Sequence, residues 1–271
     1  DLSAQAMGPV LNPVEMAMPS EEAVVQRLRA DERYRTSFEA LFGNTIFEEP
    51  ARAYRAMAEA IAAFEASDTV SPFDSRYDRS LEDSVQNPLS LKEALGKSLF
   101  FSQTDTNCAT CHQLRRNSSA TETFTSGEYH NIGVPPNIAV RTANGLGPDH
   151  IDHGLMAVTD NVADDGKFKV PTLRNIAVTG PYMHNGVFAE LRTVVLFYDQ
   201  RFEAISHPIN PETGEPWADP EVATTINHDE LGDGGPLTDT QIEALVCFMR
   251  TLTDARFESL IPEDGITCTD P

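Results

Sequence analysis

Basic residues are scarce in this chain of 271 residues: 20 Lys and Arg stand against 42 Asp and Glu, a formal charge of −22. Phosphate backbones would be repelled, which disfavours nucleic acid as a partner. An acidic surface suits either a basic redox partner or a salty solvent, and charge alone does not choose between them. No apolar run reaches about 18 residues, so no membrane span is expected. No leader is visible and the first residue is Asp1 rather than Met, so the chain reads as processed or truncated. Internal repeats and low-complexity segments are absent, and the length allows one to two domains with ample core. Cysteine is rare, with four residues, and tryptophan rarer, with one, Trp217.

Two of the four cysteines carry most of the chemical information. Cys108-Ala109-Thr110-Cys111-His112 reads C-x-x-C-H, the attachment signature of a c-type haem. Thiols three apart face the same way on a helical turn, so each can form a thioether to a vinyl group. His112 follows at once and can turn its imidazole onto the iron. A zinc site or a thioredoxin-like redox site is the alternative; the latter wants a βαβ setting, and the flanks here look helical. Covalent haem attachment in bacteria takes place outside the cytoplasm, so a periplasmic location is expected. In that oxidising compartment the remaining pair, Cys247 and Cys268, reads as a disulfide, with two separately buried thiols as the alternative.

Helices dominate the rest of the pattern. Ser20 caps a segment whose first turn carries Glu21 and Glu22, complementing the helix dipole. Tyr34, Phe38, Leu41 and Phe42 come together before Gly43. Pro50 opens a helix on which Tyr54, Met57, Ile61 and Phe64 recur at helical spacing and are expected in the core. Residues 67–88 are polar and turn-rich and read as a linker. Ser90 and Glu93 form a capping box at the start of a helix with Leu91, Leu95 and Leu99. Residues 115–170 and 206–236 read as long loops, the first with a short hairpin, and a loop of that length usually serves a site. Glu190 to Tyr198 is a short helix with Leu191, Val195 and Tyr198 on one face. Thr238 and Gln241 cap the last helix, which carries Ile242, Leu245, Val246 and Met249.

These blocks together resemble the bacterial di-haem cytochrome c peroxidase family, which includes the MauG enzymes. Gly8-Pro9-Val10 through Pro13-Val14-Glu15-Met16, Ser71-Pro72-Phe73-Asp74, and Gly96 to His112 are each similar to segments of that family. The most distinctive match is Lys169-Val170-Pro171-Thr172-Leu173-Arg174-Asn175 with Thr179-Gly180-Pro181-Tyr182-Met183-His184-Asn185-Gly186. The resemblance implies a mainly α fold: a c-type cytochrome haem domain with long loops at 81–271. The C-terminal part of a first, peroxidatic haem domain and a linker would occupy 1–80. One departure matters. The family carries two C-x-x-C-H motifs and this chain has one. The first haem and its ligands are therefore expected on an N-terminal haem-bearing segment or chain that stays bound, with a missing first-haem segment as the alternative. Trp217, in a Pro-rich loop, is not the tryptophan that the family places between its haems.

The resemblance also implies roles for particular residues. The family sets Met or Tyr on the iron fourteen residues past the His of its late block, and counting from His184 reaches Tyr198. A phenolate is a hard donor that favours ferric and higher-valent iron. Met156, Met183, His184 or an open position are the alternatives, as is plain packing of Tyr198 beside the haem. Gln5 and Glu15 correspond to distal residues of the peroxide-binding haem, where a carboxylate can take and return a proton. Thr179 and Pro181 align with backbone carbonyl ligands of a calcium ion, for which hard oxygen donors are suited. Arg174 and Lys169 are candidates for the haem propionates, with surface charge as the alternative. His130, His150, His153, His207 and His228 lie in loops. The His150/His153 spacing reads more simply as a solvated pair than as a metal site. The functional expectation is a periplasmic di-haem peroxidase-type oxidoreductase. It would use hydrogen peroxide and a redox protein as electron donor, or a protein substrate. The alternative is a single-haem electron-transfer subunit without peroxidase activity.

Overall fold

A computed structural model of the chain describes residues 1–114, 122–200, 207–231 and 235–270. The expected loops at 115–170 and 206–236 therefore lie partly outside the described residues. The chain forms two compact units, Asp1–Phe73 and Asp74–Pro271.

The first unit is four helices: α1 (Leu2–Leu11), α2 (Glu21–Ala30), α3 (Glu32–Phe42) and α4 (Pro50–Glu65). Ser20 Oγ accepts from Ala23 N at 3.2 Å and caps α2. Gly43, at φ 97, stops α3, and Pro50 sits at the first turn of α4 where no hydrogen bond is lost. The pattern does not announce α1, because Gly8 and Pro9 both disfavour helix. Packing overrides that preference: Ala6 and Val10 are buried, and Tyr54 on α4 donates its hydroxyl to Met7 O at 2.6 Å. The unit's core joins Val10, Val24, Val25, Phe38, Ile46, Phe47, Tyr54 and Met57. The apolar stripe of α4 does not stay buried to its end, since Phe64 is 59% exposed. This helix has 16 residues and its neighbours 10 or 11, so its last turn outruns them.

The second unit begins inside the stretch read as linker. Ser75 and Asp78 form a capping box that opens α5 (Arg76–Glu82). Tyr77 on this helix is 2% exposed, and its backbone N–H donates to Thr251 O at 2.9 Å. The division between units thus falls at residue 73, ahead of the boundary at residue 80 drawn from the sequence. The Ser90/Glu93 box opens α6 (Leu91–Phe100), and the haem motif forms the one-turn α7 (Cys108–Cys111). Three short helices and one longer one then follow: α8 (Ile138–Ala143), α9 (Met156–Thr159), α10 (Leu191–Asp199) and α11 (His228–Leu231). Thr238 and Gln241 box the start of α12 (Asp239–Arg250).

Helices α6 and α12 cross closely at Gly96: a Cβ built there would lie 1.8 Å from Ala244 O. Around that crossing Tyr77, Phe100, Phe124 and Phe248 pack edge-on or tilted at 5.2–6.3 Å. The long loop region contains β1 (Tyr129–His130) and β2 (Phe168–Lys169), paired antiparallel with Tyr129 opposite Lys169. Cys247 and Cys268 are disulfide-bonded. The bond ties the C-terminal tail to α12, and Ser90 Oγ, at the start of α6, donates to Cys268 O at 2.5 Å.

Candidate haem site

The one-turn helix α7 is set by Asn107, which takes a left-handed conformation at φ 52 and donates from Nδ2 to Glu230 O at 3.1 Å. The turn continues through His112 N to Cys108 O at 3.0 Å, and Ser126 N holds Cys111 O at 2.9 Å. Cys108 and Cys111 are both free thiols and half-buried. Cys108 donates to Thr106 O at 3.7 Å; Cys111 donates to Glu230 Oε2 at 3.4 Å. Burial pushes both thiols up, and for Cys111 burial and the Glu230 carboxylate together push it to about 12. Both sulfurs therefore stay protonated at neutral pH.

His112 is held from behind. Its Nδ1 lies 3.2 Å from Phe124 O, so the ring donates there and Nε2 is left with its lone pair. Burial pushes His112 down to about 4, which keeps the imidazole neutral. The two thiols and this imidazole line one cavity of about 450 Å³, within the range of cofactor pockets. Its walls are largely apolar: Phe100 from α6, Leu245 and Met249 from α12, and Leu191, Val194 and Val195 from α10. Tyr198 lines the same cavity, on the same helix as those last three. A largely apolar cavity, two unbonded thiols and an imidazole whose Nδ1 is turned to Phe124 O fit a covalently attached haem.

The other expected residues fall into three groups. Lys169, Thr179, Pro181, Met183 and His184 line the cavity. His184 stacks flat on Phe168, with ring centroids 3.5 Å apart, and burial pushes its imidazole down against the pull of Asp152 and Glu221. Arg174 is not on the cavity wall. Its guanidinium grips both oxygens of Asp78, at 2.6 and 2.9 Å, and donates to Glu122 O at 2.8 Å. Met156 lies on α9, outside the cavity.

Gln5 and Glu15 belong to the first unit, and both are exposed there. Glu15 accepts from Asn12 Nδ2 at 3.2 Å. The segment after α1 folds back so that Met16 N reaches Pro9 O, one turn along the helix from Gln5. His153 pairs with Asp165 at 2.7 Å rather than with His150. Among the described residues the metal-capable cluster is instead Cys111, His130 and Glu230.

Sequence reasoning passed over several polar groups on the cavity wall: Asp199, Glu221, Glu230 and the partners they bind. Asp199 is fully buried, accepting from Leu237 N at 2.6 Å and pairing with His207 at 2.8 Å. Glu221 pairs with Arg141, 80 residues away. No local pattern signals contacts across such separations.

The mainly helical fold and a C-x-x-C-H turn on an apolar cavity are the features of the c-type cytochrome class. The family described as di-haem cytochrome c peroxidase matches residues 1–86. The methylamine utilization protein MauG of Paracoccus denitrificans is 52% identical over 97% of this chain and 68% of that protein. With that coverage the chain belongs to the di-haem cytochrome c peroxidase family, whose members are haem-dependent oxidoreductases. The cytochrome c551 peroxidase of Nitrosomonas europaea is 36% identical over 72% of the chain and half of its own length. Among solved structures, the diheme peroxidase BthA of Burkholderia thailandensis superposes with a TM-score of 0.75 at 29% identity. That match covers 99% of this chain and 67% of the other. No described helix is long and apolar enough to cross a membrane.

Proposed function

We propose that the chain works in a periplasmic di-haem oxidase of the peroxidase/MauG type and supplies the His/Tyr-ligated c-type haem. Cys108 and Cys111 would hold the macrocycle through thioethers, and His112 Nε2 and the Tyr198 hydroxyl would be the iron's protein ligands. A bound haem contributes reversible one-electron chemistry at its iron. The second haem comes from outside these 271 residues, on a segment or chain that stays associated.

The observation that carries this reading is the convergence of two free thiols, an imidazole with Nε2 available and Tyr198 on one apolar cavity. Tyr198 offers a hard anionic oxygen, which favours the oxidised iron states that an oxidase must hold. Lys169 reaches the cavity from β2 and can pair with a propionate. The backbone carbonyls of Thr179 and Pro181 are oxygen donors of the kind that calcium takes. In the first unit Glu15 takes the proton from the near oxygen of hydrogen peroxide and returns it to the leaving oxygen, with Gln5 orienting the substrate. Electrons come from a redox protein or from an oxidisable residue of a partner protein.

The decisive experiment is Tyr198→Phe in the isolated haem protein, read by optical and electron spin resonance spectra of the ferric state. A changed ligand field is expected, together with intact covalent haem by mass. Unchanged spectra would remove Tyr198 from the iron. Mixing the unaltered protein, together with the associated segment or chain that carries the second haem, with peroxide tests the activity itself. A rapid spectral change supports the oxidase, whereas slow bleaching alone leaves an electron-transfer subunit.

A further inference from the structure

One carboxylate on the cavity wall has an oxygen with no hydrogen-bond partner among the described residues. The Glu221 side chain is 6% exposed and lines the cavity. Its Oε1 takes the guanidinium of Arg141 and the backbone N–H of Asp152 at 2.5 Å. Its Oε2 is buried and accepts no hydrogen bond from any described residue. The backbone around it is fixed, for Glu221 N donates to Val134 O at 3.1 Å and Asn131 Nδ2 donates to Val222 O at 2.9 Å. The Arg141 side chain is itself 9% exposed, so the pair sits in low dielectric on both sides. Buried carboxylates are ordinarily satisfied at both oxygens, because leaving one bare costs free energy. Here the bare oxygen belongs to a residue of the cavity that the thiols and His112 define.

We propose that Glu221 is the residue that tunes the haem electrostatically, holding negative charge against the porphyrin so that ferric iron is favoured over ferrous. The inference rests on the haem-binding reading above. A buried carboxylate on an apolar cavity wall interacts with the iron charge far more strongly than it would in solvent. Reduction removes one positive charge from the iron and so loses part of that attraction. Arg141 fixes the carboxylate in place and offsets part of its field. The two residues therefore act in opposite directions on one equilibrium. Removing the carboxylate leaves a buried cation beside the haem, and removing the guanidinium leaves a buried anion.

The test is a spectroelectrochemical titration of the haem protein at constant pH, unaltered and with Glu221→Gln, Arg141→Gln and Glu221→Asp. At the midpoint potential of the unaltered protein, Glu221→Gln should raise the ferrous-to-ferric ratio about tenfold, which is ~59 mV for a one-electron couple. Arg141→Gln should move the ratio the other way, and Glu221→Asp should stay within about twofold. A loosened cavity would instead shift both Gln variants in the same direction, and that result overturns the inference. So does a Glu221→Gln ratio unchanged within about twofold, the outcome if Oε2 merely holds an ordered water. If Arg141→Gln fails to fold, the contrast between Glu221→Gln and Glu221→Asp decides alone. Protein lacking covalent haem by mass would sink the underlying haem reading, a failure distinct from haem present with an unmoved potential.

Discussion

Arg174 and Lys169 sit in one short sequence block and were candidates for the same task, yet their surroundings separate them. Lys169 lines the cavity and makes no ion pair with a described residue. Arg174 is locked to Asp78 through two parallel bonds, with the two side chains 10% and 13% exposed. Its guanidinium also lies 5.9 Å from the Tyr77 ring and 5.4 Å from that of Phe124. It therefore ties α5 to the segment ahead of the cavity instead of reaching into it. Breaking a buried pair by removing one partner strands the other charge, at about 3–5 kcal/mol. Arg174→Met should accordingly lose stability on that scale in a denaturant melt while the haem spectrum and midpoint potential stay put. A shifted spectrum with unaltered stability would return Arg174 to the propionates. The residue type was legible from the sequence; which carboxylate it meets was not, because Asp78 lies 96 residues away.

Among the elements, α6 and α12 form the centre of the second unit, and their crossing depends on one missing side chain. A Cβ at position 96 would sit 1.8 Å from Ala244 O and 2.9 Å from the Phe248 side chain. The first obstacle is backbone, which cannot swing aside as a side-chain tip can. Gly96→Ala should therefore cost about 3 kcal/mol, the upper end of the usual range for overpacking. For a unit of this size that lowers the melting temperature by roughly 6–12 °C, measurable by calorimetry on the haem protein. A melting temperature unchanged or raised, as helix propensity alone would favour, would show that the helices stand further apart. The capping boxes at Ser90 and Thr238 were readable because their partners are three residues along. The C-x-x-C-H turn was readable for the same reason. Helix α1 was hidden by Gly8 and Pro9, and α5 by polar residues that serve its own cap. The Arg141–Glu221 pair and the Leu237 N–Asp199 bond join positions 80 and 38 residues apart, so only the folded chain reveals them.

At the scale of the whole molecule the dominant quantity is the charge of −22. The core of the second unit includes residues of the cavity wall, while 42 acidic against 20 basic residues set the field that an approaching redox protein would feel. Such a field reaches about 30 Å at 0.01 M salt but only about 8 Å at 0.15 M. Attraction of that kind raises encounter rates by about 10–10³ and weakens steeply as salt is added. Electron transfer from a small basic redox protein should therefore slow by at least about tenfold between those two salt concentrations under second-order stopped-flow conditions. An acidic donor of similar size and potential should speed up over the same interval, because salt then screens repulsion. Equal rates for the two donors, or a basic donor indifferent to salt, would mean that the acidic surface only solvates the protein and that an uncharged patch governs docking.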